Sequence, residues 1–216
     1  MEGLTPHIIK EALSGALPGE DAHGKMMSYN RPVAAEARTF EVKPKESAVL
    51  MMLYHEHEEL QTIFMLRPQN QGVHSGQISF PGGKREIAET LMETAFRETF
   101  EEVGIPNHQI EILGELSEVY IPPSNFLVQP FVGYLKEKPS FIPNPAEVEK
   151  VITFPVKKLF APETMGQKEV VIAKFNKRLT VPYFDVEGHA LWGATAMIVA
   201  EFKQIMFDFV NSNPLK

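Results

Sequence analysis

Apolar positions recur along this chain in two rhythms, and the switches between them outline the elements. Residues 4–17 carry Ile8, Ile9, Leu13 and Leu17 on one side of a helical wheel, with Thr5-Pro6 at the start, and predict a short amphipathic helix. The stretch PGEDAHGKMMSYNRP that follows is crowded with turn formers and reads as a connector. SAVLMMLYH and LQTIFMLR are near-continuous apolar runs, predicting two buried strands joined by a charged tip at 55–59. A glycine-rich segment, 72–84, ends in Phe80-Pro81-Gly82-Gly83 and leads into a predicted helix over 87–103, closed by Gly104 as its C-cap. QIEILGELSEVYI and FLVQPFVGYL predict strands separated by Pro122-Pro123-Ser124-Asn125. VEKVITFPVKKLF and KEVVIAKF predict two more, and TVPYFDVEG with HALWG a hairpin before a last helix at 194–210. The pattern predicts one α+β domain with a mixed sheet, residues 41–216, on which an N-terminal helix and connector, residues 1–40, pack.

The helix over 87–103 is where the pattern stops being merely structural. With each residue advancing about 100° around the axis, Leu91, Met92, Ala95, Phe96, Thr99 and Val103 fall on one core-facing stripe. Glu98 and Glu102 stack four apart at its margin, with Glu101 a step further round. Two carboxylates stacked beside a buried face repel each other, and desolvation sharpens the repulsion. A solvated acidic face would also produce such a pattern, but no lysine occurs between Lys84 and Gly104, and Arg97 is the helix's arginine. Three carboxylates within one turn suit Mg²⁺, which prefers oxygen ligands and keeps waters that substrate phosphates displace. Gly82-Gly83 would let backbone approach such a ligand closely, and a carbonyl there could join the metal shell.

Composition narrows the chemistry. The 216 residues include no cysteine, which excludes thiol catalysis, thiolate zinc sites and disulfides. A net charge of −7 with scattered Lys and Arg argues against a nucleic-acid partner and leaves a small anionic substrate, its charge offset locally. Hydrophobic residues at 44% and charged residues at 23% are ordinary for a soluble globular protein. No apolar run approaches the roughly 20 residues of a membrane span, and MEGLTPHIIKEALSG lacks the features of a signal peptide. The expectation is a cytoplasmic protein with no membrane partner.

Taken together, Gly83-Lys-Arg-Glu-Ile-Ala-Glu89 and Arg97-Glu98-Thr-Phe-Glu101-Glu102-Val-Gly104-Ile105 match the Nudix box, G-x5-E-x7-R-E-U-x-E-E-x-G-U, at every charged and glycine position. Thr99 stands where the pattern has an aliphatic residue. The chain therefore resembles the Nudix hydrolases. The resemblance implies an α/β/α sandwich around a mixed β-sheet and Mg²⁺- or Mn²⁺-dependent hydrolysis of a nucleoside diphosphate linked to another group. It implies Glu98, Glu101 and Glu102 as metal ligands, Gly82 or Gly83 as a backbone contact to the metal, and Arg97 with Glu89 as an orienting pair. A homodimer is the family-level expectation.

The flanks resemble the coenzyme A pyrophosphatase subfamily. RPQNQGVHSGQISFPGG at 67–83 fits the signature L-L-T-x-R-[SA]-x3-R-x3-G-x3-F-P-G-G at Arg67, Gly76 and Phe80 to Gly83, and departs at Met65, Pro68 and Gly72. Gly72 stands for an arginine, removing a bidentate phosphate donor. YIPPSNFLVQP at 120–130 and LWGATA at 191–196 resemble the same subfamily. The implied reaction yields 3′,5′-ADP and 4′-phosphopantetheine from coenzyme A; ADP-ribose, nucleotide sugars and dinucleoside polyphosphates are the alternative substrates, and a non-catalytic nucleotide sensor the alternative class. Pyrophosphate hydrolysis needs charge neutralised on both phosphates and an in-line water that loses a proton. Glu101, Glu102, Glu147 and Arg97 are the candidate catalytic residues, with Glu101 or Glu147 as base, and Arg67, Gln77, Ser124 and Lys84 the candidate substrate contacts; His74 could also line the site.

Overall fold

A computed structural model describes residues 3–27, 31–69, 76–172 and 177–213. Among the described residues, three short helices come first: α1 (Pro6–Leu13), α2 (Glu20–His23) and α3 (Ala34–Ala37). Thr5 caps α1 by accepting the Ile8 N–H, with Pro6 at the first helical position as the sequence predicts. The predicted connector is thus partly helical, since it contains α2 and the 3₁₀ turn Gly24–Met26.

Strands β1 (Lys45–Glu56) and β2 (Glu59–Leu66) form a hairpin whose turn is only His57 and Glu58, both at positive φ. The charged tip is shorter than the sequence predicts because both strands extend into it. Strands β3 (Ile78–Ser79) and β4 (Gly82–Lys84) then flank the predicted glycine-rich turn. Helix α4 runs Leu91–Val103 and not from residue 87. Its start is fixed by a capping box, in which Thr90 accepts the Glu93 N–H and the Glu93 carboxylate accepts the Thr90 N–H.

QIEILGELSEVYI divides into β5 (Ile110–Glu115) and β6 (Val119–Ile121), and β7 covers Phe126–Leu135. VEKVITFPVKKLF becomes β8 (Lys150–Pro155) followed by a single helical turn, α5 (Val156–Leu159). Strands β9 (Met165–Ile172), β10 (Lys177–Val186) and β11 (His189–Leu191) precede the long helix α6 (Ala194–Ser212).

The described strands make two sheets. The larger is mixed, ordered β3-β2-β1-β7-β5, with β4 added on β1, β6 on β7 and β8 on β2. β1 and β7 pair in parallel, and the other pairings are antiparallel. The smaller sheet is β11-β10-β9. β1 shows why its sequence is apolar throughout: alternate side chains enter different cores. Ala48, Leu50, Met52 and Tyr54 pack with Ala95 and Val103 of α4. Met51 and Leu53 face a second core that holds Ile9 and Leu13 of α1 and Met197, Phe202 and Ile205 of α6. Helices therefore cover both faces of the mixed sheet, giving the expected α/β/α sandwich.

The sheet also contains the device that builds the site. β1 pairs with β2 over Leu53–Glu56 and with β4 over Ser47–Val49, so β2 and β4 succeed each other along one edge of β1. Where they part, Arg67, the residue after β2, reaches the start of β4, with its Nη2 3.5 Å from the Gly82 carbonyl.

Candidate functional site

α4 crosses this gap with its polar margin facing β4, and residues progressively nearer the helix start meet successive residues of the strand. The Gly82 N–H donates to Glu102 Oε2 at 2.8 Å. At Gly83 a Cβ would lie 2.3 Å from the Glu98 carboxylate, so the close approach is open only to glycine. Arg97 Nη2 donates to the Lys84 carbonyl at 3.1 Å. Gly82 is constrained from the other side as well: at φ 150°, a Cβ there would sit 2.2 Å from the Ala48 carbonyl oxygen.

The structure brings most of the predicted residues together. Glu102 is 1% exposed and belongs to the buried stripe of α4 with Thr94, Ala95, Thr99 and Val103, whereas Met92, predicted to face the core, is exposed. Besides Gly82, Glu102 accepts from Arg67 Nη2 at 3.0 Å. Burial pushes its carboxyl up to about 7; Arg67 and the Gly82 N–H oppose the shift, and the charges of Glu98 and Glu147 add to it. Glu98 is likewise shifted upward by burial, against the pull of Arg97 and with a push from Glu101 and Glu147.

Arg97 is the hub. Its Nε and Nη2 grip the two oxygens of Glu89 at 2.6 and 3.1 Å, and its Nη1 donates to Glu98 Oε1 at 2.9 Å and Glu101 Oε2 at 3.1 Å. The Arg97 hydrogen bond holds the Glu89 carboxyl down at about 2. Thr94 completes the clamp by donating its hydroxyl to Glu89 Oε2 at 2.9 Å. Nothing in the sequence singled Thr94 out; its place five residues after Glu89 is the signal that could have done so.

Glu147 reaches the same cluster from the other side. Residues 142–148 are seated on the last turn of α4, where Ile142 N–H donates to the Val103 carbonyl and Asn144 N–H to that of Glu102, both at 2.9 Å. Asn144 anchors the loop further by accepting the Ala146 N–H, and its amide stands 3.5 Å from Glu147 Oε1. The signal for this turn in the sequence is Asn144 before Pro145.

Other predicted contacts lie at graded distances. The Gln77 carbonyl accepts the Arg67 N–H at 3.0 Å, so Gln77 borders the gap. Lys84 is exposed and lies opposite Ser47. Ser124 is apart from the cluster. Phe126 pairs with Lys45, four residues along β1 from Val49, the partner of Gly82, which sets the β6–β7 tip about 13 Å further along the strand. The Ser124 hydroxyl is buried there with no hydrogen-bond partner among the described residues. His74 and Gly72 lie outside the described residues. A concavity of about 550 Å³ on α4 is lined by Glu89, Arg97, Phe96 and Phe100, and includes none of Glu98, Glu101, Glu102 or Glu147.

No three acidic or histidine side chains among the described residues are arranged as a ligand set; Arg67 is bonded to Glu102, and Arg97 to Glu98 and Glu101. The donor chemistry nevertheless fits a hard divalent cation. The donors are all oxygen, the buried Glu102 and the half-buried Glu98 repel each other, and the Gly83 backbone makes room for Glu98.

Comparison with known proteins agrees with this picture. The NUDIX domain family model matches residues 44–175. The chain is 38% identical to Nudix hydrolase 3 of Caenorhabditis elegans over 118 residues, covering 52% of this chain and 46% of that protein. It is 31% identical to the mitochondrial coenzyme A diphosphatase of Homo sapiens over 188 residues, 86% of this chain and 79% of that one. Among solved structures, a Nudix hydrolase from M. smegmatis, RenU, superposes with a TM-score of 0.53 at 16% identity, covering 80% of this chain and 89% of that one, a likeness of fold alone. No described helix is long and apolar enough to cross a membrane.

Proposed function

The chain belongs to the Nudix domain family, and from that premise we propose that it is a divalent-cation-dependent pyrophosphohydrolase that cleaves coenzyme A or its acyl derivatives to 3′,5′-ADP and 4′-phosphopantetheine or its acyl form. The observation that carries the reading is the buried Glu102, gripped by the Gly82 N–H and Arg67 within a cluster shared with Glu98 and Glu147. Unpaired, such a cluster is costly to fold, and it has the donor chemistry that pyrophosphate cleavage needs.

Glu98, Glu101 and Glu102 would hold Mg²⁺ or Mn²⁺, with a backbone carbonyl of Gly82-Gly83 beside them. When bound, the cation neutralises phosphate charge and acidifies water. Arg97, itself fixed by Glu89, keeps Glu98 and Glu101 in one orientation, which limits the reorganisation needed when substrate arrives. Arg67 stands beside Gly82 at the mouth of the gap, where its guanidinium can turn from Glu102 to a substrate phosphate. Of the two candidate bases, Glu147 is favoured. Glu101 is tied to Arg97 at 3.1 Å, while the partner of the Glu147 carboxylate is the Asn144 amide at 3.5 Å.

For the substrate, support comes from the human relative, named a coenzyme A diphosphatase, which aligns with 86% of this chain. The experiment is a panel of coenzyme A, acetyl-coenzyme A, ADP-ribose and diadenosine tetraphosphate with Mg²⁺ or Mn²⁺, with products resolved by chromatography. Release of 3′,5′-ADP at a kcat/KM at least ten-fold above the other classes is expected. Preference for ADP-ribose or the dinucleotide would overturn the substrate, and turnover undiminished by chelator would overturn the metal.

A further inference from the structure

Two arginines hold the three glutamates of the site, and they are themselves held differently. Arg97 is anchored by its Nε and Nη2, which grip both oxygens of Glu89, so it keeps that partner whatever Glu98 and Glu101 bind. Arg67 is fixed at its backbone, where its N–H donates to the Gln77 carbonyl at 3.0 Å. Its guanidinium reaches into the gap through Nη2, 3.0 Å from Glu102 Oε1 and 3.5 Å from the Gly82 carbonyl. Glu102 Oε2 takes the Gly82 N–H at 2.8 Å, so both oxygens of this carboxylate are engaged. The Glu102 side chain is 1% exposed and that of Arg67 29%, and the pair therefore runs from the buried side of the gap to its solvent side.

A carboxylate buried to this degree needs a counter-charge beside it. Arg67 supplies one from the protein itself. A divalent cation on Glu102 would supply the same charge, and the two cations would then face each other across one carboxylate, where little water screens them. The guanidinium and the metal are thus alternative partners for Glu102.

We propose that Arg67 couples metal loading to phosphate capture: it holds Glu102 in the metal-free protein and, once a divalent cation takes that carboxylate, turns outward to grip a phosphate of the substrate. This role rests on the metal-dependent reading above and adds an order to it, because the metal-free chain has its own phosphate donor tied up. Arg67 suits the exchange, since a planar guanidinium pairs as well with phosphate as with carboxylate. The coupling is reciprocal: the factor by which metal strengthens anion binding is the factor by which the anion strengthens metal binding.

The test follows Arg67 directly, by phenylglyoxal labelling of the full chain at pH 8 with peptide mass spectrometry, and uses Arg38, which pairs with Glu118, as internal reference. Saturating Mg²⁺ is expected to speed the labelling of Arg67 at least about five-fold and leave Arg38 unchanged. Inorganic phosphate should then protect Arg67 with Mg²⁺ present and not without it. Binding is measured separately, from the free Mn²⁺ signal in electron paramagnetic resonance. Arg67→Met should bind Mn²⁺ about five-fold more tightly than the parent, because the competing guanidinium is gone. Mn²⁺ bound by the parent chain with Arg67 labelled no faster, phosphate protection that ignores Mg²⁺, or an Arg67→Met chain that binds Mn²⁺ no more tightly would each overturn the role of Arg67 and leave the metal site standing. A parent chain that binds no Mn²⁺ would overturn both.

Discussion

Gly82 and Glu102 are joined by a hydrogen bond of 2.8 Å from a strand N–H to a carboxylate that is 1% exposed. Even with that donor and Arg67, the Glu102 carboxyl is pushed up to about 7 from its ordinary 4.5. The folded state therefore holds the proton more tightly than the unfolded chain does, and stability must fall as pH rises from about 4.5 to about 7, then level. In metal-free protein the loss should be on the order of 3 kcal/mol. Urea midpoints at several pH values, with chelator present, check it. Glu102→Gln should flatten this part of the curve and cut Mg²⁺-dependent turnover at least 100-fold; an unchanged slope in the variant would assign the titration elsewhere.

The two glycines of the turn should fail differently. A methyl at Gly83 meets the far end of the Glu98 side chain, which can swing aside, so Gly83→Ala should keep its melting temperature within a few degrees while turnover falls at least ten-fold. A methyl at Gly82 meets the backbone of Ala48 and Val49 at 2.2 and 2.6 Å, in a conformation L-residues rarely adopt. Gly82→Ala should therefore lose both fold and activity. Thermal melts beside turnover separate the cases, and an active Gly83→Ala would remove Glu98 from the site.

Arg97 distributes its guanidinium over Glu89, Glu98, Glu101 and the Lys84 carbonyl. Lysine keeps the charge but offers a point donor in place of a planar fork. Arg97→Lys should lower kcat ten- to 100-fold with little change in KM, because it loosens the glutamates and leaves the mouth of the gap intact. A change confined to KM would place Arg97 on the substrate instead.

Far from the site, Glu201 is buried with His23: His23 Nε2 and Glu201 Oε2 are 3.0 Å apart, and the carboxylate also accepts the Ser117 and Gly19 N–H groups. Burial pushes the Glu201 carboxyl up, but His23 and Ser117 together outweigh it and hold it below its usual value. Its stabilising effect is thus present above about pH 4.5 and is lost on acidification. His23→Ala should cost about 3 kcal/mol near neutrality and open residues 20–26 to proteolysis, with a smaller deficit near pH 4. Equal deficits at both pH values would count against the Glu201 carboxylate as the source of the effect.

The sequence showed most of this site because its parts are local. Gly83 to Ile105 is one contiguous motif, and helical spacing alone stacks Glu98 on Glu102. It could not show that Arg67 and Glu147 converge on Glu102, since that depends on β4 replacing β2 along β1 and on the 142–148 loop seating on α4, both long-range pairings. Helical periodicity also misplaced the start of α4, because Ile87 and Ala88 fit the apolar pattern while the Thr90–Glu93 capping box decides the boundary. It set Glu102 at the margin of the stripe, whereas the nearness of β4 makes it part of the buried face.

Thr99, the one departure from the aliphatic position of the box, is fully buried on α4, and its hydroxyl has no hydrogen-bond partner among the described residues. A buried, unpaired hydroxyl costs more than the methyl of similar volume that could replace it. Thr99→Val restores the apolar character of the stripe beside Ala95 and Val103 without changing its size. The variant should gain about 1 kcal/mol, seen as a rise of about 3 °C in melting temperature for a chain of this length. Turnover should stay within two-fold of the parent, because Thr99 faces the core and Glu98 and Glu102 the gap. A drop in stability would mean that the hydroxyl is satisfied in solution, and a drop in turnover alone would mean that it helps to orient its glutamate neighbours.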